Sequence, residues 1–174
     1  LLAYLAATRE VHSRHALAGL FWGDRPEEKA KNSLRVAING LRRKFPNHLE
    51  ISRQNLGLNL DSNVHIDLTK LQSAAELSNQ AGQAERHVQH LAQIPEIYRG
   101  DFLSNLAIDE APEFDEWLEN QRVSWMQVAL RGLSILADQH LEDEAYNEAL
   151  KILSHHLEID CLLYTSDAAD ESVC

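Results

Sequence analysis

The sequence predicts a mainly α-helical protein with one short β-hairpin, and three observations support this. Apolar residues recur at helical spacing through most of the 174 residues, whereas a strand-like stretch follows residue 48. Hydrophobic residues make up 44% and charged residues 25% of the chain, the usual balance of a protein with a buried core. The longest apolar run, LLAYLAA, is too short to cross a membrane. We therefore expect a cytoplasmic protein.

The sequence contains cysteines, histidines and acids, but their spacing does not match that of a metal centre or a catalytic site. Cys161 and Cys174 lie at the end of the chain, and neighbouring histidines lack the HExxH pattern of a zinc site. The sequence contains no phosphate-binding glycine loop and no nucleophile elbow. The acids between Glu113 and Glu119 are typical of the solvated side of a helix. We expect no catalytic residues, no cofactor and no metal.

The first 45 residues predict three helices. Residues 1–5 carry the apolar spacing of a short helix, and Ser13 is a candidate N-cap for a second helix that ends at Gly23. Asp24 with Glu27 resembles a capping box, so a third helix begins there and ends near residue 45. One side of this third helix is apolar and suited to burial, and it consists of Leu34, Ile38, Leu41 and Phe45.

Positive charge is concentrated in the first third of the chain, although the whole chain has a net charge of -11. Residues 1–60 carry +5 and residues 61–160 carry -13, and no acid lies between residues 29 and 49. A basic segment beside an acidic one is typical of a protein that binds nucleic acid with one part and protein with the other. The alternative is a solvated helix face that is merely basic.

The polar side of the third helix has the residues that a major-groove helix requires. Arginine binds guanine edges or phosphates in a bidentate manner, and asparagine pairs with adenine. We expect some of Arg35, Asn39 and Arg42 to read bases, and Lys29, Lys31, Arg43 and Lys44 to hold phosphates. The candidate DNA-contacting residues on this helix are Lys29, Lys31, Asn32, Ser33, Arg35, Asn39, Arg42, Arg43 and Lys44. Gly40 costs about 1 kcal/mol relative to alanine inside a helix, which predicts the close approach of a neighbouring backbone.

Residues 49–53 and 58–60 predict two short strands joined by a turn around Asn55 and Gly57. A hairpin directly after a basic helix is typical of a winged helix. In that fold the helix enters the major groove, and the hairpin contacts the DNA backbone or the minor groove beside it. Arg53 of the hairpin is therefore a further candidate for DNA contact.

After residue 66 the chain becomes rich in alanine and acids, and its periodicity predicts four helices. Their approximate spans are 67–80, 84–98, 112–140 and 144–159. Pro95 should disturb the second of them near its end, and Phe114, Trp117 and Trp125 are spaced as core residues. The run AYNEAL in the last helix has the spacing of tetratricopeptide-type repeats, for which an ordinary antiparallel helix pair is the alternative.

Six longer blocks follow one another between residues 16 and 160. They are ALAGLFWGDRPEEKAKNSLRVAINGLRRKF, ISRQNLGLNL, IDLTKL, IYRGDFL, APEFDEWLENQR and AYNEALKILSHHLEID. Together they resemble the bacterial transcriptional activator domain family, the antibiotic-regulatory-type activators. The resemblance implies a winged helix of the response-regulator output type in residues 1–62 and an all-helical, tetratricopeptide-like activator domain in residues 63–160.

The same resemblance implies a sequence-reading transcription regulator whose partners are double-stranded DNA and RNA polymerase or other transcription machinery. The helical domain would also serve homodimerisation. The third helix matches the recognition helix of the family, whereas Gly40 and the wing sequence LGLNL depart from its pattern. A second hypothesis of another class is a helical protein-interaction module that does not bind DNA at physiological salt.

The resemblance further implies truncation at both ends. The domain of the family begins with a small sheet before its first helix, and this sheet is missing from the sequence. Residues 161–174 read CLLYTSDAADESVC where the family continues into further helices. This string resembles translated adaptor sequence, so we expect a non-native tail that packs poorly.

Overall fold

The structure is a computed structural model that describes residues 1–78, 89–108 and 110–170, with the side chains of all but 74–78 and 161–170. It is mainly helical and contains a small antiparallel sheet of three strands, as the sequence predicts in outline. Its elements are α1 (Leu2–Thr8), β1 (His12–Ser13), α2 (Arg14–Trp22), α3 (Glu27–Lys44), β2 (Leu49–Ile51), β3 (Asn55–Leu58), α4 (Leu68–Ser78), α5 (Ile94–Ile97), α6 (Pro112–Glu142) and α7 (Tyr146–Asp170).

A side-chain cap explains where α2 begins but not where α3 begins. Ser13 is confirmed as the N-cap of α2, because its Oγ accepts a hydrogen bond of 3.1 Å from a main-chain N–H of the first turn. The predicted capping box of Asp24 and Glu27 is wrong. Pro26 occupies the N-cap position of α3, and no side chain caps that helix. The acidic pair Glu27 and Glu28 still complements the helix dipole in the first turn.

The later helices follow the predicted spans with two differences. The predicted helix 84–98 falls partly on residues 79–88, which lie outside the described residues. Residues 89–91 are helical, and a turn at residues 92–93 separates them from α5. Pro95 stands in the first turn of α5, so the predicted interruption of the helix near Pro95 is confirmed. The last helix, α7, extends to Asp170 rather than residue 159. The side chains of residues 161–170 and all of residues 171–174 lie outside the described part of the chain, so the packing of the expected tail stays a prediction.

The sheet has the order β1-β3-β2. Within it His12 is paired with Leu56, and Glu50 is paired with Gly57. The prediction of a turn at Asn55 and Gly57 is therefore wrong, because both residues lie inside β3. The turn occupies residues 52–54 instead, where the Ser52 Oγ accepts a 2.8 Å hydrogen bond from the main-chain N–H of Asn55.

The chain divides into two compact units. The first contains Leu1–Ile66 and Asn105–Glu119, and the second contains Asp67–Ser104 and Asn120–Cys174. The first unit therefore includes the first turns of α6 in addition to the sheet and the first three helices. The division at residue 62 that the sequence suggests stays a prediction.

A cluster of aromatic rings contributes to the core of the first unit. Phe114 is fully buried, and its ring centroid lies 4.8 Å from that of Phe21. Tyr4 contacts both Phe21 and Trp117, with centroid distances of 5.9 and 4.7 Å. These tilted and edge-on arrangements are the ones that aromatic rings prefer. Phe114 and Trp117 thus pack as their spacing predicts.

The second unit has its own apolar core. Burial raises the pKa of Tyr98 to about 12, and the negative charge of Asp101 adds to this effect, so the phenol of Tyr98 stays protonated. The residues of this core are Leu71, Leu91, Ile94, Tyr98, Trp125, Met126, Ala129, Leu133, Leu136 and Ile159.

Gly132 of α6 allows α5 to approach closely within this core. A Cβ at position 132 would overlap the Cδ1 of Ile94 and would lie 3.3 Å from the Cδ2 of Leu91. Ile94 is 0% exposed, so its side chain has no free space to move into. The close packing therefore outweighs the helix propensity that an alanine would add at this position.

We predict that Gly132→Ala lowers the free energy of unfolding by about 1–3 kcal/mol, because it overpacks the core. Ile94→Val removes the Cδ1 that the new methyl group would meet, so the double variant should lose less stability than the two single variants together. Urea unfolding followed by circular dichroism measures all three variants. Strictly additive losses would contradict the direct contact.

Candidate nucleic-acid interface

Helix α3 buries one side and exposes a basic side. Leu34 and Ile38 are 2% and 3% exposed, and Leu41 and Phe45 continue the same side at half burial. Of the ten residues predicted to contact DNA, nine are exposed and Ser33 is half-buried. The amphipathic division that the sequence predicts for this helix is confirmed in its burial pattern.

Four of the exposed residues lie in one row along α3, at spacings of four, four and three positions. This basic row consists of Lys31, Arg35, Asn39 and Arg42. Among the described residues no acid pairs with Arg35 or Arg42, so their guanidinium groups keep all their donors for another partner.

A groove of about 220 Å³ opens where the first turn of α2, the row on α3 and the hairpin turn meet. The residues around this space carry three guanidinium groups, an ammonium group and an imidazole, and the space is large enough for an anionic group such as a phosphate. The residues that line this basic groove are Arg14, His15, Lys31, Leu34, Arg35 and Arg53.

Main-chain hydrogen bonding holds the hairpin turn beside α2. The N–H of Arg14 donates a 2.7 Å hydrogen bond to the carbonyl of Gln54. The Arg14 side chain also lies 3.5 Å from the carbonyl oxygen of Ser52. Because both carbonyls belong to the turn 52–54, these contacts place Arg53 at the edge of the basic groove.

Lys31 differs from the other cations of the groove because carboxylates already neutralise it. Its Nζ lies 2.7 Å from an Oε1 of Glu27 and 3.3 Å from that of Glu28. The hydrogen bond to Glu27, followed by that to Glu28, raises the pKa of Lys31. The hydrogen bond from Lys31 in turn lowers the pKa of Glu27. A further anion at Lys31 would have to compete with these exposed pairs.

The predicted contact residues do not all lie in one place. Lys29 lines a separate cavity with Asp24 and Glu110, where Arg25 and Glu110 form an ion pair of 3.0 Å. The Nε of Arg43 donates a 3.4 Å hydrogen bond to the main-chain carbonyl of Asn39. The structure thus brings Lys31, Arg35 and Arg53 together and separates Lys29 from them.

Three residues of this surface were missed at the level of sequence. Arg14 and His15 stand in the first turn of α2, where cations oppose the helix dipole, and this unfavourable position was the available signal. Val36 is 64% exposed on the outward side of α3, next to polar residues on both sides. Val36 lies four positions after Asn32 and three before Asn39, so helical spacing places it on the polar side of α3 and outside the predicted buried side.

Gly40 has no neighbour of the kind that the sequence predicts. Outside its own helix and adjoining residues, no atom of the described part of the chain lies within 4 Å of a Cβ built at this position. The expected approach of a neighbouring protein backbone is therefore absent, and Gly40 faces open space.

A second exposed surface lies on α7, in the second unit. Tyr146, Leu150, Leu153 and Leu157 are 60%, 63%, 39% and 60% exposed, at spacings of four, three and four residues. This apolar row has the spacing of a coiled-coil seam. Ala149 and Ile159 of the same helix are buried and lie outside this row.

Comparison of the chain with protein-family models, with curated proteins and with solved structures finds no match. In the described part of the chain, no three His, Cys, Asp or Glu side chains gather as a metal site. None of the described helices is both long and apolar enough to span a membrane. The function of the interface is therefore inferred from the residues that form it.

We predict that Glu27 titrates below its usual pKa and that Lys31→Met returns it towards the usual value. Since the pKa of Glu27 is lowered, its ion pair with Lys31 persists above the usual titration range of glutamate and is lost as the pH falls through the lowered pKa. Carboxyl carbon chemical shifts recorded against pH measure both states. An unchanged titration curve for Glu27 in the variant would contradict the pairing.

Proposed function

We propose that the chain binds double-stranded DNA as a winged helix and belongs to a transcription regulator. The observation that carries this proposal is the basic row on α3, in which Arg35 and Arg42 are exposed and have no acidic partner among the described residues. Two unpaired guanidinium groups along an exposed helix are what contact with a polyanion requires.

The basic groove supports phosphate binding beside that helix. Arg14, Arg35 and Arg53 come from three different elements and face one space. Guanidinium groups bind phosphate oxygens through two parallel hydrogen bonds, which gives geometric as well as electrostatic selectivity. In this arrangement the hairpin serves as the wing, and its turn contacts the backbone of the duplex through Arg53.

Base recognition would come from the outward side of α3. Asn32 and Asn39 are exposed there, and an asparagine amide can both donate to and accept from the edge of adenine. Arg42 supplies a guanidinium group for guanine. Phosphate contacts from Lys44 and Arg43 at the end of the helix would fix the register along the groove.

The second unit has a different role in this proposal. Its helices would form a tetratricopeptide-like activator domain that contacts RNA polymerase or other transcription machinery in the cytoplasm. The support is the helical content of this unit and its own composition, in which Asp and Glu outnumber Lys and Arg and make the unit unsuited to binding DNA itself.

We predict that Arg53→Ala weakens binding to duplexes of any sequence by a similar factor and lowers the slope of log K against log salt by about 0.9, the contribution of one phosphate contact. Lys31→Ala should have a smaller effect, because Glu27 and Glu28 already neutralise Lys31. Fluorescence anisotropy with a labelled duplex between about 50 and 200 mM salt measures both quantities.

The matched control for this experiment is Arg131→Ala, which removes an exposed arginine from the second unit. It should leave both affinity and slope unchanged. If Arg53→Ala, Arg35→Ala and Arg14→Ala all retain the slope of the original chain, the proposed DNA contact is wrong.

The apolar row on α7 favours a second candidate function, self-association as a protein-interaction module without DNA binding. Two copies of a helix with seam spacing can bury the same side against each other. Tyr146, Leu150 and Leu157 are each exposed by 60% or more, which is unusual for a row of four apolar residues on a monomer.

We predict that the chain forms dimers whose fraction rises with concentration and that Leu150→Glu shifts it to the monomer. The reason is that a charge in the seam loses its hydration when two copies meet. Sedimentation velocity at several concentrations measures this, with Lys151→Gln as a control on the same helix. A monomer at every concentration would contradict the second candidate, whereas salt-dependent DNA binding would favour the first.

A further inference from the structure

The outward side of α3 contains one large apolar side chain among polar ones. Val36 is 64% exposed, slightly more than any residue of the apolar row on α7. Its neighbours one turn away on either side are Asn32 and Asn39, and both are exposed. No apolar residue of the described chain covers it, so this valine does not contribute to the core of its own unit.

Gly40 lies one turn after Val36 and leaves the adjoining surface without a side chain. A Cβ at Gly40 would meet nothing within 4 Å, so packing within the protein does not require a glycine there. The contrast with Gly132 is informative, because a Cβ at Gly132 would overlap Ile94. Gly40 costs helix stability without allowing any contact in the described structure.

We propose that Val36 and Gly40 together determine base specificity, with Val36 contacting the 5-methyl group of a thymine and Gly40 giving the space that lets the helix approach it. Among the groups exposed in the major groove, the thymine methyl is the apolar one, and small apolar side chains recognise it. Asn32 and Asn39 flank Val36 and are suited to adenine, so the surface around Val36 favours A·T pairs. This inference rests on the proposed DNA binding.

The geometry of a groove-binding helix explains why a missing side chain matters at Gly40. A valine is short, so its methyl groups reach a base only if the helix backbone lies deep in the groove. A side chain one turn further along would meet the groove wall or the bases first. The absence of a Cβ at Gly40 thus allows the short side chain at Val36 to make contact.

The first experiment uses a substitution that should raise the stability of the protein but weaken its binding to DNA. Gly40→Ala should raise the Tm by about 2–4 °C, because alanine favours the helix and its methyl group meets no atom. It should nevertheless weaken binding to a selected duplex about tenfold, the effect of overpacking an interface by one methyl group. Gly19→Ala is the matched control, since Gly19 lies in α2 and its Cβ would also meet nothing within 4 Å.

The second experiment tests the thymine methyl directly. Duplexes are selected from a random-sequence library on the original chain, and each thymine of a selected duplex is replaced in turn by deoxyuridine. At one position the replacement should weaken binding about fourfold, the value of one buried methyl group, and should have little effect on binding by Val36→Ala.

The possible results separate this inference from the function on which it rests. A chain that selects and binds duplexes, but with equal affinity when deoxyuridine replaces any thymine, would overturn the role of Val36 and leave DNA binding intact. If Gly40→Ala and Gly19→Ala both bind the selected duplex as tightly as the original chain does, the proposed role of Gly40 is wrong. A chain that binds no duplex at any salt concentration would overturn both the inference and the proposed function.

Discussion

The burial of Leu34 and Ile38 determines how α3 is rotated about its axis, and the exposed basic surface depends on that rotation. Each of these side chains contributes about 1.5–3 kcal/mol when fully buried, whereas an exposed ion pair such as that of Lys31 is screened by water and contributes little. Apolar burial therefore decides which side of the helix faces inward. With that side fixed, the helical period places Arg35, Asn39 and Arg42 in solvent.

The hairpin adds charge to this surface through contacts that are distant in sequence. Arg14 and the turn 52–54 are joined by a main-chain hydrogen bond, so a cation from the first turn of α2 and one from the turn face the same groove as Arg35. The net charge of -11 does not oppose a local role for these residues, because charges more than about 8–10 Å apart are largely screened at physiological salt. The acids Glu27 and Glu28 act locally instead, by neutralising Lys31.

Helical periodicity and N-capping in the sequence were sufficient to predict most of the helices and the buried side of α3. Features that depend on distant partners were not predictable in this way. Strand β1 has two residues, too few to show alternation, and it exists because His12 and Ser13 are paired with β3. The same pairing draws Asn55 and Gly57 into β3, although both residue types favour turns. Tertiary pairing overrides local preference at these positions.

The candidate interface shows the same division. The row Lys31, Arg35, Asn39 and Arg42 follows from helical spacing, which depends only on near neighbours in the sequence. The groove required knowledge of where α2 and the hairpin turn meet, so Arg14 was found only in the structure. The pairing of Lys31 was readable from spacing, because Glu27 and Glu28 stand four and three positions before it, and the structure shows both ion pairs.

The central claim is that the exposed side of α3 and the hairpin turn form the surface that meets DNA. The most direct measurement is a nitrogen–proton correlation spectrum of the chain, recorded as a duplex is added. The account predicts that the amide signals of Arg35, Val36, Asn39 and the turn 52–54 shift together with one binding constant, while those of α7 do not move. Shifts confined to α7, or an unchanged spectrum at low salt, would contradict it.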